Sequence, residues 1–231
     1  MAAQREPVGA PPTGGPSWRD GRLAHARPWG RHATELAAGA GLLGVGWLLL
    51  SDNTTVPRWE VEVFHQINDL PDALRWPLWP VMQLGNFWMW IGGAGIAYAL
   101  TRRWRPTAAA ASAVLLGWAA AKVVKHLVDR GRPGDLLEGV DIREAGLHGH
   151  GFVSGHTVVA FALATVLTPL VPGRWRYVPY TLATLVGFAR IYYGAHLPLD
   201  VIGGAGLGIL CGLVSALVFG TIHPVAKHPA P

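Results

Sequence analysis

The feature that most limits what this chain can become is a series of six apolar stretches, at about residues 33–50, 78–100, 107–127, 155–171, 177–195 and 198–220. Each is roughly 17 to 23 residues long, and a helix of that length, rising about 1.5 Å per residue, spans a hydrocarbon layer ~30 Å thick. Residues 107–121 carry no charge at all, and in the chain as a whole 14% of residues are charged against 51% apolar. A water-soluble domain holds about a quarter charged residues, so lipid is the expected solvent. The expected fold is all-α: an integral membrane bundle of six transmembrane helices over residues 33–222. A flexible basic cytoplasmic tail is expected at residues 1–32, whose Pro, Gly and Arg content cannot bury enough surface to offset the entropy of ordering. A short cytoplasmic tail is expected at 223–231. The first stretch begins far from the N-terminus and has no small-residue cleavage pattern before Asp52, which argues against a cleaved signal peptide.

Orientation follows from Lys and Arg, which are held on the cytoplasmic side. Eleven of them fall in the N-terminal tail, the second and fourth connections and the C-terminus, against eight elsewhere. Both termini are therefore expected inside, and the first, third and fifth connections outside. The first outer connection places Trp59, Val63, Ile67 and Leu70 on one stripe, as in a short amphipathic helix anchored in the interface. Trp76, Trp79, Trp88 and Trp90 suit the headgroup level or core packing. Gly203, Gly204, Gly206 and Gly208 read as close helix packing rather than a phosphate loop. The single cysteine, Cys211, excludes a disulfide framework and reads as a small buried hydrophobe.

Ionisable residues beside apolar stretches are costly to keep, and they are the first candidates for function. They gather at residues 125–133, 153–157 and 190–200, and six crossings put all three groups on the outer face. Lys125 and Arg132 are seven apart and start on one helix face, until Gly131 and Pro133 end the helix and turn Arg132 off it. With Arg190 they supply three cations that can converge on one anion. Ser154 is a candidate N-cap, so Gly155 and His156 would offer backbone amides to a phosphate. Pro198 suits the first position of the last helix, leaving His196 just before it and Asp200 in its first turn, able to reach back and fix the imidazole tautomer.

That set suits phosphoryl transfer through a phosphohistidine. Neutral His196 attacks phosphorus in line, and His156 protonates the leaving oxygen and then activates water. Lys125, Arg132, Arg190 and the helix amides neutralise the equatorial oxygens, so neither metal nor cofactor is called for.

At these residues the chain resembles the type 2 phosphatidic acid phosphatase superfamily, membrane lipid phosphatases related to vanadium haloperoxidases. Lys125 with Arg132-Pro133 matches the first motif, Ser154-Gly155-His156 three of four positions of the second, and Arg190, His196 and Asp200 the third with both spacings intact. The resemblance covers about residues 107–220. It implies His196 as nucleophile, Asp200 as its orienting partner and His156 as acid and base. It also implies Lys125, Arg132, Ser154, Gly155 and Arg190 as phosphate ligands. Val153 stands where the family has proline and Ala189 where it has serine. The second change removes a hydroxyl donor worth about 0.5 to 1.5 kcal/mol, which weakens phosphate affinity without removing the chemistry.

The expected activity is a metal-independent lipid phosphate or diphosphate phosphatase at the extracytoplasmic face of a bacterial-type inner membrane. Polyprenyl diphosphate, phosphatidate and phosphatidylglycerol phosphate are its compatible substrates, and a carrier-lipid diphosphatase of the undecaprenyl kind is the favoured case. Phosphotransfer to a sugar or lipid acceptor, and noncatalytic lipid-phosphate binding or transport, stand as alternatives. The partners expected are the lipid substrate and the bilayer, with no nucleic acid; oligomeric state is left open. The His148-Gly149-His150 loop reads as solvated or gating rather than metal-binding. His65, His126, His223 and His228 read as headgroup-level polar residues. Asp129, Arg130, Asp135, Glu138, Asp141 and Glu144 read equally as a solvated loop or as the shape of the site's mouth.

Overall fold

The computed structural model describes residues 28–50, 55–147 and 149–220, and among these every regular element is helical. Most of the expected N-terminal tail, the whole C-terminal tail, and His148, His223 and His228 lie outside the described residues. Helix α1 (Pro28–Leu48) already takes in residues 28–32, which were expected in the tail.

After α1 comes α2 (Arg58–Asn68), the short helix expected from its apolar stripe. Its inner face is a different one: Glu60, Phe64 and Asn68, spaced at four and four, are wholly buried, while Trp59 and Val63 stay 42% and 36% exposed. Two of the three inner residues are polar, which a search for apolar periodicity passes over.

The second apolar stretch is broken. It forms α3 (Arg75–Gln83), which contains Pro80, and α4 (Met89–Thr101), joined by a turn over residues 84–88. Asn86 holds that turn by accepting the Trp88 amide at 3.2 Å. Proline removes a backbone donor and crowds the preceding turn, and Gly85-Asn86 are turn formers; averaging hydropathy over a long window conceals both. A Cβ on Gly85 would lie 2.6 Å from the His156 carbonyl oxygen, so this turn presses directly on the start of a later helix.

Arg102, in the left-handed region at φ 54°, reverses the chain into α5 (Trp104–Leu127). Then follow a single turn α6 (Pro133–Leu136), α7 (Gly155–Leu167), α8 (Val178–Tyr192) and α9 (Pro198–Val218). Among the described residues α5 and α9 are long and apolar enough to cross a membrane, and Met89–Thr101 and Gly155–Leu170 are shorter apolar helices.

Glycine lets α9 sit at the centre of the bundle. A Cβ on Gly206 would lie 2.6 Å from Gly39 O of α1, and one on Gly208 2.5 Å from Val158 O of α7. Without a hydrophobic drive between helices in lipid, such close backbone approach is what gains dispersion energy. Ala109, Ala110, Ala113 and Val114 of α5 and Ala162 and Val166 of α7 complete the core, with Cys211 buried against them as expected.

Candidate active site

The site is assembled from three chain segments at one end of α5, α7, α8 and α9. Lys125 stands in the last turn of α5. Its ammonium donates to His150 O at 2.6 Å and Gly151 O at 3.1 Å, two of its three donors, and pins the loop that follows residue 148. Asp129 pairs with His150 Nδ1 at 2.7 Å. The chain then leaves the helix, and Arg132, at the start of α6, donates from Nε to Gly149 O and from a terminal nitrogen to Ala195 O, both at 3.0 Å. Arg132 thereby ties the first segment to the residue just before His196.

Ser154 takes the N-cap position of α7 without capping it. It is fully buried, and its Oγ accepts from Thr157 at 3.0 Å instead. Its amide donates to Asp200 O at 2.9 Å, which locks the start of α7 to the first turn of α9. The first amides of α7, Gly155 and His156 among them, have no intrahelical acceptor because they open the helix. His156 is half-buried beside them.

Arg190, in the last turn of α8, is 3% exposed. One terminal nitrogen meets Glu144 Oε2 at 2.5 Å, and its Nε is buried with no hydrogen-bond partner. A buried guanidinium donor left open in this way is a ready anion site, and Glu144 shows that a carboxylate already finds the arginine. Ala189, where a serine was noted as missing, is fully buried against Met82, Tyr192 and Tyr193.

His196 is 2% exposed, in the connection between α8 and α9. Its Nδ1 faces Asp200 Oδ2 at 3.4 Å without the alignment of a hydrogen bond, which leaves Nε2 as the ring nitrogen not turned to that carboxylate. Asp200 is held from elsewhere: its Oδ2 accepts the Leu197 amide at 2.9 Å, the capping contact that starts α9, and its Oδ1 accepts from Arg130 at 2.8 Å. Burial above all, and then the charges of Lys125, Arg190 and Arg132 with His156 beside them, hold the His196 imidazole well below the ordinary histidine range. It is therefore neutral near pH 7, with a lone pair free.

The sign of that shift gives a stability prediction. A histidine that resists protonation when folded but accepts a proton when unfolded makes unfolding take up protons, so stability falls as pH drops below about 6.5. Thermal denaturation of detergent-solubilised protein from pH 8 to pH 5 is expected to show a falling midpoint below that value, and His196→Gln is expected to flatten the slope.

Of the eight residues singled out by sequence, His196 and His156 both lie within electrostatic range of Lys125, Arg132 and Arg190, Asp200 faces His196, and Ser154 and Gly155 open the helix that carries His156. Sequence reasoning missed the residues behind them. Arg130 is 1% exposed, between Glu60 and Asp200, rather than in a solvated loop or at the mouth of the site. Asn68 bonds Asp141 N and O and Tyr192 O, and Arg143 reaches Asn68 O, Tyr192 O and Asp72, so α2 clamps the loop across the end of α8. The available signal is the i, i+4, i+8 row Glu60, Phe64, Asn68, which a search for apolar periodicity does not register because two of its three members are polar.

These features define a class: an all-helical bundle with two histidines in electrostatic range of the same three cations, one histidine backed by a buried aspartate. The model described as the PAP2 superfamily matches residues 89–223. The crystal structure of Aquifex aeolicus LpxE superposes with a TM-score of 0.62 at 30% identity, covering 68% of this chain and 94% of that one. The chain belongs to the PAP2 superfamily. A lipid A 1-phosphatase of Rhizobium johnstonii is 32% identical over 43% of this chain and 42% of its own. An undecaprenyl-diphosphatase of Sulfolobus acidocaldarius is 29% identical over 50% of this chain and 53% of its own. The chain thus spans about half the length of these curated relatives.

Proposed function

We propose that this protein is a lipid phosphate or diphosphate phosphatase working through a phosphohistidine, with six membrane crossings, both termini in the cytoplasm and the site at the extracytoplasmic face. The observation that carries the reading is His196 at 2% exposure, backed by Asp200, within range of three cations of which Arg190 has an open buried donor. A binding or transport site needs the cations but has no use for a neutral, aspartate-oriented imidazole beside a second histidine.

The chemistry follows from the geometry. A phosphate enters between Arg190, Arg132, Lys125 and the first amides of α7, and takes the place of Glu144 on Arg190. His196 Nε2 attacks phosphorus opposite the leaving oxygen; the nitrogen–phosphorus bond forms as the phosphorus–oxygen bond to the lipid breaks. Asp200 stabilises the positive charge that spreads over the imidazole. His156, protonated once the bound phosphate offsets the charges of Lys125, Arg132 and Arg190, gives that proton to the departing oxygen, then takes one from the water that attacks the phosphohistidine, releasing inorganic phosphate and neutral His196. Cations and helix amides do the charge neutralisation that metal ions do elsewhere, typically worth several kcal/mol of barrier.

The names of the relatives, together with the apolar helices around the site, favour a phosphorylated lipid, a polyprenyl diphosphate first and a lipid A-type 1-phosphate after it; phosphatidate and phosphatidylglycerol phosphate remain compatible with the same phosphate ligands. The test is phosphate release by the purified protein in detergent with EDTA, against polyprenyl diphosphate, lipid A, phosphatidate and phosphatidylglycerol phosphate. Turnover of at least one, undiminished by chelation, is expected. Binding of all four with no phosphate released would overturn the reading, and loss of turnover in EDTA would overturn its metal independence.

A further inference from the structure

The mechanism uses Asp200 but leaves unexplained why three charged side chains from three distant parts of the chain are buried together behind it. Glu60 is 0% exposed, Arg130 1% and Asp200 0%. Arg130 donates to Glu60 Oε2 at 2.6 Å and Oε1 at 3.3 Å from one side, and to Asp200 Oδ1 at 2.8 Å from the other. Glu60 Oε1 also accepts the amide of Leu199, the residue next to Asp200, at 2.8 Å. Glu60 therefore touches Asp200 twice at one remove, through the guanidinium and through the backbone.

A buried ion triad is a poor way to gain stability, since removing charges from water costs about as much as their attraction returns. It does fix geometry. With Oδ1 held by Arg130 and Oδ2 by the Leu197 amide, the Asp200 carboxylate has no freedom to turn, and only the edge of Oδ2 is left for His196 Nδ1. Two acids and one base also leave one net negative charge behind the histidine, opposite the positive charges of Lys125, Arg132 and Arg190 in front of it. If Arg130 alone faced Asp200, its charge would cancel the carboxylate that His196 depends on. Glu60 prevents that cancellation.

We propose that Glu60 and Arg130 are positioning residues, which act through the buried chain Glu60–Arg130–Asp200 to orient and electrostatically back His196. This rests on the reading of His196 as the nucleophile.

The test uses the full-length protein in detergent with farnesyl diphosphate and dioctanoyl phosphatidate as probes, comparing wild type, Glu60→Gln, Glu60→Asp, Arg130→Lys and His196→Ala. Glu60→Gln is expected to lower kcat about 10- to 100-fold with KM changed less than about threefold, since the phosphate ligands are untouched while the nucleophile is misplaced. With one negative charge lost, the acid limb of the kcat/KM profile should move to lower pH. The groups facing the imidazole, Asp200 from α9, Lys125 from α5, Arg190 from α8, His156 from α7 and Arg132 from the loop, stay as they are. Glu60→Asp should restore the pH profile in part, and Arg130→Lys should lower kcat because an ammonium lacks the second arm. Should Glu60→Gln fail to accumulate, Glu60→Asp and Arg130→Lys decide the matter by the same split. A lowered melting point with wild-type kcat per folded molecule and an unmoved pH profile would overturn the inference while His196→Ala remained dead. A wild type inactive on both probes and on the wider panel would instead defeat the parent reading, and this one with it.

Discussion

Replacing His196 by alanine is expected to reduce phosphate release by about four orders of magnitude or more and to abolish any acid-labile phosphoenzyme. The size follows from the role: without Nε2 no covalent intermediate forms, and only the electrostatic grip of Lys125, Arg132, Arg190 and the helix amides remains. That grip is intact in the variant, so binding of inorganic phosphate should survive within about threefold. The side chain leaves a small cavity at a 2% exposed position, next to an Asp200 still held by Arg130 and Leu197, and folding should persist. Rapid quench with radiolabelled substrate separates the outcomes. A labelled intermediate in the alanine variant would remove His196 from the mechanism, whatever the steady-state rate.

Replacing Gly204 by leucine is expected to be as damaging for a different reason. A Cβ there would lie 2.8 Å from Ser154 O and 3.2 Å from Thr157 Cβ, where α9 crosses the start of α7. The helices must part to admit it. Overpacking of this kind costs about 1–3 kcal/mol for a methylene or two, and more for a whole isobutyl group. The functional loss should exceed the stability loss, because the displaced segment carries His156 and the Ser154 amide that bonds Asp200 O. A shift of about 1 Å in a catalytic group can cost ~100-fold. Turnover per folded molecule is therefore expected to fall by two orders of magnitude or more, while Gly41→Leu, whose Cβ meets nothing within 4 Å, should leave it unchanged. Normal turnover in a well-folded Gly204→Leu would show that the α7–α9 contact does not set the site.

Much of this was legible before any coordinates. The motif residues announced themselves because charge beside an apolar stretch is costly, and Pro198, Asp200 and Ser154 sit at helix starts that local backbone chemistry dictates. The glycines of α9 were legible as packing residues because a run of them weakens a helix unless a neighbour comes close. One local reading needs revision: the stretch at 78–100 is two helices because Pro80 and the turn at Gly85-Asn86 outweigh mean hydropathy. The buried row of α2, Glu60, Phe64 and Asn68, lies beside the apolar stripe and is not announced by it, because its two polar members find their partners only in the fold.

The amino-acid sequence alone determined the helical architecture, the three chemical segments and the order in which they meet, since those depend on composition, periodicity and spacings of seven residues or fewer. Only the tertiary structure decided that Arg130, 70 residues from Glu60 and 70 from Asp200, joins the two, and that Glu144 rests on Arg190. A buried charge is tolerable only beside its partner, and which partner arrives is settled by how α2, α5, α8 and α9 pack, a matter of three-dimensional approach that no local spacing encodes.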